Sequence, residues 1–170
     1  MDFYDVIRSR RSIRAYKPDP IEPDKLDRIL EAGRLAPSAC NLQPWTFVLI
    51  TDPAVRKSFI KVYKQAWLCE APVILVICAD TKKAWKRWDG QEFWQVDCAI
   101  AMQNIISAAA AEGLGSCWVA AFDEPACVNL LRLPSHTRPV VITPLGYPAE
   151  TKDPVTDRFP LKDILHRERW

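Results

Sequence analysis

The sequence predicts a single α+β domain spanning residues 1–170, built as a sandwich of helices and a central sheet. Three observations carry this. Stretches rich in β-formers alternate along the chain with stretches of helical apolar spacing. Residues 73–79 form an unbroken apolar run, as a central strand covered on both faces requires. Residues 95–112 are apolar on most sides, which marks a largely buried helix.

The elements follow in order. Residues 2–9 space Phe3, Val6 and Ile7 on one helical face behind Asp2, a good N-cap. Pro18 and Pro20 then break regular structure. Pro23-Asp24-Lys25-Leu26 opens a second helix, with Leu26, Ile29, Leu30 and Leu35 apolar and Pro37 as its stop. Residues 45–51 read as a buried strand and 54–67 as a helix, ahead of the central strand at 73–79. In the long helix, Val96, Ile100, Met102, Ile105 and Ile106 stand among six alanines, and Asp97, Gln103, Asn104 and Ser107 interrupt the pattern. So many alanines permit close backbone approach, either at the centre of the domain or across a dimer interface. Gly113 and Gly115 terminate this helix. Residues 116–122 supply a third strand, 124–131 a short helix and 140–146 a fourth strand. Residues 147–160, with Pro148, Pro154 and Pro160, are extended rather than helical.

Composition narrows the function. Of 170 residues, 49% are hydrophobic and 26% charged, and the formal net charge of +2 gives no global field for nucleic acid or membrane. No apolar run reaches the ~20 residues that span a bilayer. The start of the chain lacks the pattern of a signal peptide, so a cytoplasmic protein is expected. The six cysteines form no C-x-x-C pair and several sit in apolar runs, which reads as buried reduced thiols rather than disulfides or a metal site. His136 and His166 have no motif around them; no metal ligation and no Ser-His-Asp or Cys-His arrangement is indicated.

Positive charge is concentrated locally. Arg10-Arg11-Ser12-Ile13-Arg14 puts three guanidinium groups and a hydroxyl within five residues, donors that match phosphate oxygens or an acceptor-rich ring. A second distinctive segment, Pro37-Ser38-Ala39-Cys40-Asn41-Leu42-Gln43-Pro44-Trp45, is polar and bracketed by prolines. With Gly113-Leu114-Gly115-Ser116-Cys117-Trp118, and Gly146-Tyr147-Pro148 followed by Arg158-Phe159-Pro160-Leu161, these make four separated motifs. In that order, and over nearly the whole chain, the sequence resembles the nitroreductase family of FMN-dependent oxidoreductases.

The resemblance implies a nitroreductase-like fold with a central mixed sheet of four to five strands flanked by helices, and a homodimer with FMN at the subunit interface. Arg10, Arg11, Ser12 and Arg14 would contact phosphate, ribityl chain and pyrimidine edge, with the division of labour among them open. Pro37, Ser38 and Asn41 would reach the flavin from the partner subunit. Backbone N–H groups near Ala120 and Ala121 would face the N5/O4 edge. Cys117 lies either at that edge or in the core as a small hydrophobe. Arg158 corresponds to a C-terminal phosphate-binding arginine. Some members carry a basic residue two positions earlier, where this chain has Thr156. Trp85, Trp88, Phe93 and Trp94 would either cover the substrate face of the flavin or pack against the partner subunit.

The activity so implied is ping-pong: NADH or NADPH delivers hydride to flavin N5, then a small electron-poor acceptor such as a nitroaromatic or quinone takes its place. No protein side chain acts as nucleophile, and no nucleic-acid or membrane partner is needed. The alternatives are a reductive dehalogenase or another flavin-specialised member, for which the short span 81–95 leaves little room for a lid, and a non-catalytic FMN-binding sensor or storage protein.

Overall fold

The computed structural model describes residues 2–170. Four strands, β1 (Trp45–Ile50), β2 (Val73–Asp80), β3 (Gly115–Ser116) and β4 (Thr137–Gly146), form one sheet in the order β1-β2-β4-β3. Every neighbouring pair is antiparallel. Parallel pairing among the described residues is a single bridge, Ser12 to Ser116. The expected mixed sheet is thus an antiparallel one with a parallel bridge at its edge. What runs beside β3 there is the N-terminal arm, not a strand returned by a helical crossover.

Among the described residues seven α-helices surround the sheet: α1 (Phe3–Ser9), α2 (Pro23–Arg34), α3 (Pro53–Ser58), α4 (Ala66–Glu70), α5 (Trp94–Ala111), α6 (Glu124–Leu131) and α7 (Leu161–Ile164). β2 shows why the sandwich has two cores. Successive side chains on a strand point to opposite faces. Val73, Leu75, Ile77 and Ala79 therefore join Ile29 of α2 and Cys98, Met102 and Ile105 of α5. Ile74, Val76 and Cys78 join Phe59, Val62, Leu68 and Cys127 on the other face. Each fully buried aliphatic side chain contributes roughly 1.5–3 kcal/mol against exposure. Polar residues on α5 also tie it to α2: Asn104 Nδ2 donates to the Ala32 carbonyl at 3.1 Å. Arg28 forms a two-point pair with Glu112 at 2.7 and 2.9 Å.

Helix α5 ends in a Schellman arrangement: Leu114 N–H donates to the Ala109 carbonyl and Gly113 N–H to that of Ala110, with Gly113 at φ +78°. This turn feeds the chain directly into β3. Burial pushes the thiols of Cys78, Cys98 and Cys127 up to about 12, so they behave as core hydrophobes. No described helix is long and apolar enough to cross a membrane.

Two expected elements are shorter than the sequence suggests. The helix expected over 54–67 breaks into α3, a 3₁₀ turn at Phe59–Lys61 and α4. The Val62 carbonyl, which a continuous helix would give to Ala66, instead accepts Asp123 N–H at 2.8 Å. The strand expected over 116–122 pairs regularly only at Gly115–Ser116, then once more between Val119 and Ile142. The register places Pro144 opposite Cys117, and proline has no N–H to donate. Cys117 N–H donates instead to Thr143 Oγ1 at 3.3 Å.

Candidate functional site

The site is built where the N-terminal arm, β3 and the C-terminal tail meet. Arg10 caps α1, its N–H on the Val6 carbonyl at 3.0 Å, and the chain leaves the helix extended. Ile13 N–H donates to the Ser116 carbonyl at 2.9 Å, laying the arm along β3. The approach depends on Gly115, where a Cβ would stand 2.9 Å from Ile13 Cβ. From the other side, Glu150 Oε1 accepts Arg14 N–H at 2.5 Å and Lys152 Nζ donates to the Ser12 carbonyl at 2.8 Å. The Arg14 N–H and the Lys152 ammonium hold the Glu150 carboxyl below its usual range. Beneath the arm, the buried Tyr16 hydroxyl donates to the Ile13 carbonyl at 2.5 Å. Burial, with Cys117 and Glu150 nearby, raises Tyr16 far above its ordinary value, so it remains a neutral donor.

The result is a basic cleft of about 290 Å³ lined by Arg10, Arg11, Ser12, Arg14, Lys152, Val155 and Arg158. An adjoining hollow of about 350 Å³ shares Arg10, Arg11 and Lys152 and includes Gly113 to Ser116. The cleft gathers arginines that form no ion pair. Elsewhere Arg8, Arg28, Arg34, Arg87 and Arg138 each have a carboxylate partner. Among the described residues Arg10, Arg11, Arg14 and Arg158 have none, and Arg14 lies over the Trp67 ring. Four like charges gathered together repel one another beyond what the Glu150 carboxylate, held on Arg14 N–H and Lys152, offsets, and an anion placed among them is stabilised by charge-assisted hydrogen bonds.

The remaining expected residues lie outside this cleft. Pro37, Ser38 and Asn41 belong to the loop before β1. Cys40, Asn41 and Gln43 there have φ of 49°, 55° and 47°. Ser38 Oγ accepts Gln43 N–H at 2.9 Å, and the buried Asp97 accepts Ala39 N–H at 3.0 Å, while Asn41 stays exposed. Residues held in left-handed conformation cost roughly 1–3 kcal/mol each, so the loop shape is imposed by these tethers. Cys117 is buried. Beyond Val119 the ladder stops, and the N–H groups of exposed Ala120 and Ala121 have no partner among the described residues. Ala120 lines a small cleft of about 140 Å³ with Trp94, Gln95 and Arg138.

The aromatic segment is a hairpin. Phe93 N–H donates to the Trp85 carbonyl and Arg87 N–H to that of Gln91, with a bridge between Lys86 and Glu92. The Trp85 and Phe93 rings meet edge to face at 5.2 Å at its base. Trp88 at the tip is 94% exposed, whereas Trp94 is 6% exposed and donates Nε1–H to Glu92 at 2.9 Å.

Extended chain rises roughly 3.3 Å per residue, so Ser116 beside the cleft and Ala120 stand roughly 13 Å apart. A ligand touching both ends must be long, anionic at one end and rich in acceptors at the other. FMN has that form, and the donor set fits it. Sequence reading did not single out Glu150, Lys152 or Tyr16 for the site; the available signal was a basic residue in a polar, proline-rich tail.

A model described as the Nitroreductase family matches residues 7–68 and 56–147. The chain is 34% identical to the NADH dehydrogenase of Thermus thermophilus, over 97% of this chain and 95% of that protein. It is 30% identical to the FMN reductase [NAD(P)H] of Bacillus subtilis, over 98% and 74%. Among solved structures, the FMN-dependent nitroreductase of Clostridium difficile R20291 superposes with a TM-score of 0.83 at 30% identity, over 97% and 98% of the two chains.

Proposed function

The chain belongs to the nitroreductase family, and on that premise we propose that it is an FMN- and NAD(P)H-dependent oxidoreductase, active as a homodimer on small electron-poor acceptors such as nitroaromatics or quinones. The observation that carries this reading is the cleft lined by four arginines that form no ion pair. FMN, when bound, supplies reversible hydride acceptance, so that a single site serves donor and acceptor in turn.

The residues of this chain do the rest. Arg10, Arg11, Ser12 and Arg14 between them contact the phosphate, ribityl chain and pyrimidine edge, and Arg158 joins at the phosphate, whose charge of about −1.5 to −2 calls for several cations. The unpaired N–H groups of Ala120 and Ala121 steady negative charge at the ring edge. Pro37, Ser38 and Asn41 complete the ring pocket from the partner subunit, with Asn41 offering both a donor and an acceptor. Cys117 backs the strand from the core side. Trp88 and the Trp85–Phe93 base of the hairpin shield the acceptor face. Exposed apolar side chains on α1 (Phe3, Tyr4 and Ile7) and on the tail (Phe159, Leu161 and Ile164) support the dimer, whose formation covers them.

The test is the visible spectrum of the purified protein. A yellow protein that releases FMN, bleaches with NADH or NADPH under anaerobic conditions and regains colour with a nitroaromatic or quinone is expected. FAD, or no flavin after reconstitution, overturns the reading. Bound FMN that no nicotinamide bleaches makes it a storage or sensor protein instead.

A further inference from the structure

We propose that Lys152 is the second cation contributed by the C-terminal tail to the FMN phosphate, and that it gives the site its discrimination between FMN and unphosphorylated riboflavin. The inference rests on the FMN reading above. Thr156, two positions before Arg158, does not line the basic cleft, and Lys152 does. Its side chain is largely covered, with 24% of its surface exposed. An ammonium has three N–H donors. One is directed at the Ser12 carbonyl at 2.8 Å and a second at Glu150 Oε1 at 2.9 Å. The third has no partner among the described residues. The two contacts it does make fix the ammonium at the Ser12 backbone, in the cleft that Lys152 lines together with Arg10 and Arg11. Little side-chain entropy then remains to be lost when an anion arrives.

Lys152 differs from the arginines around it in being tied to the backbone it serves. Glu150 holds Arg14 N–H, Lys152 holds the Ser12 carbonyl, and the two side chains pair with each other. The tail therefore closes on the arm through a two-residue clasp whose positive end faces the cleft. A strut that only braced the arm would affect the whole cofactor. A phosphate ligand affects only the phosphorylated form.

Fluorescence titration of the apo-protein with FMN and with riboflavin separates these. In the parent protein FMN binds more tightly than riboflavin. In Lys152→Met the FMN Kd rises about tenfold, as expected for one charge-assisted hydrogen bond, and the riboflavin Kd rises far less, by no more than the loosened arm costs both ligands. Lys152→Arg recovers most of the FMN affinity. Lys152→Gln serves as a second neutral variant, with circular dichroism of the apo-protein checking that each variant is folded. FMN and riboflavin weakening in parallel, or FMN affinity unchanged in both neutral variants, overturns the role of Lys152 alone. A parent protein that does not prefer FMN overturns this inference together with the reading of the cleft.

Discussion

The carboxylate of Asp97, buried in the first turns of α5, accepts the Ala39 N–H at 3.0 Å, and its second oxygen has no partner among the described residues. One side chain thereby couples the central helix to the loop that displays Asn41. Asp97→Ala should release the loop, speeding hydrogen exchange at Ala39 and lowering stability by about 1–3 kcal/mol. Asp97→Asn keeps an acceptor oxygen and should retain the protection of Ala39. Unaltered exchange at Ala39 in the alanine variant would count against the tether.

Arg14→Ala and Arg158→Ala each remove a charge-assisted donor from the cleft. A loss of ~1.5–3 kcal/mol corresponds to FMN binding weakened by roughly ten- to hundredfold. Both side chains face solvent or cleft rather than core, so melting of the apo-protein should barely change. Flavin titration decides it: unchanged affinity in both variants returns these arginines to an ordinary basic surface.

Gly115→Ala places a methyl group 2.9 Å from Ile13 Cβ, an atom too near the backbone to swing away. The arm must move outward as a unit. Overpacking of this kind costs about 1–3 kcal/mol. FMN affinity should fall alongside the melting temperature, because Ser12 and Arg14 flank Ile13. A variant that is destabilised yet binds FMN normally would show that the arm and the cleft are not coupled.

Glu150 gives a pH dependence of defined sign. Its carboxyl is held below the ordinary value of 4.5 by Arg14 N–H and Lys152, so the folded state favours the charged form. The stability this adds is present above the ordinary value and is lost as pH falls through the lower, folded one. Glu150→Gln should therefore melt below the parent near neutral pH, with the gap closing on acidification. Melting curves from about pH 7 down to about pH 3 check this; a gap that widens toward acid contradicts it.

The proposal of a site shared between two subunits is tested by complementation. Arg14→Ala and Asn41→Ala chains, assayed with FMN too dilute to load either alone, should on mixing and refolding form heterodimers with one intact site and one doubly damaged site. Part of the flavin-dependent activity should return. A monomer in light scattering with full FMN occupancy rules the arrangement out.

Elements governed by their own residues were legible in the sequence. Helix α6 runs over Glu124–Leu131, the bounds expected from the sequence, with Asp123 as its N-cap, and Asp2 caps α1 as expected. Elements decided by a distant partner were not. Nothing between residues 54 and 67 announces that the Val62 carbonyl is taken by Asp123, and nothing near Cys117 announces Pro144 on the neighbouring strand. The same division runs through the site. The arginines of the arm stand out because they are adjacent in sequence. Lys152 and Glu150 do not, because their importance comes from lying against Ser12 and Arg14 across well over a hundred residues of chain. Asp97 was visible only as a polar interruption of an apolar helix, and its partner in the loop gives that interruption a purpose.

The hairpin between Trp85 and Phe93 has an evolutionary corollary. From Lys86 to Gln91 its contacts are internal: Arg87 with Asp89, Lys86 with Glu92, Gln91 N–H with Asp89, and Arg87 over the Phe93 ring. Its tip thus behaves as a cassette, able to drift in length and composition without disturbing the sheet. Residues there can change without cost to the contacts that hold the two cores together. In the laboratory the same autonomy makes the tip a natural place to randomise, because a library there leaves the sheet and the basic cleft intact and asks directly whether the hairpin selects the acceptor.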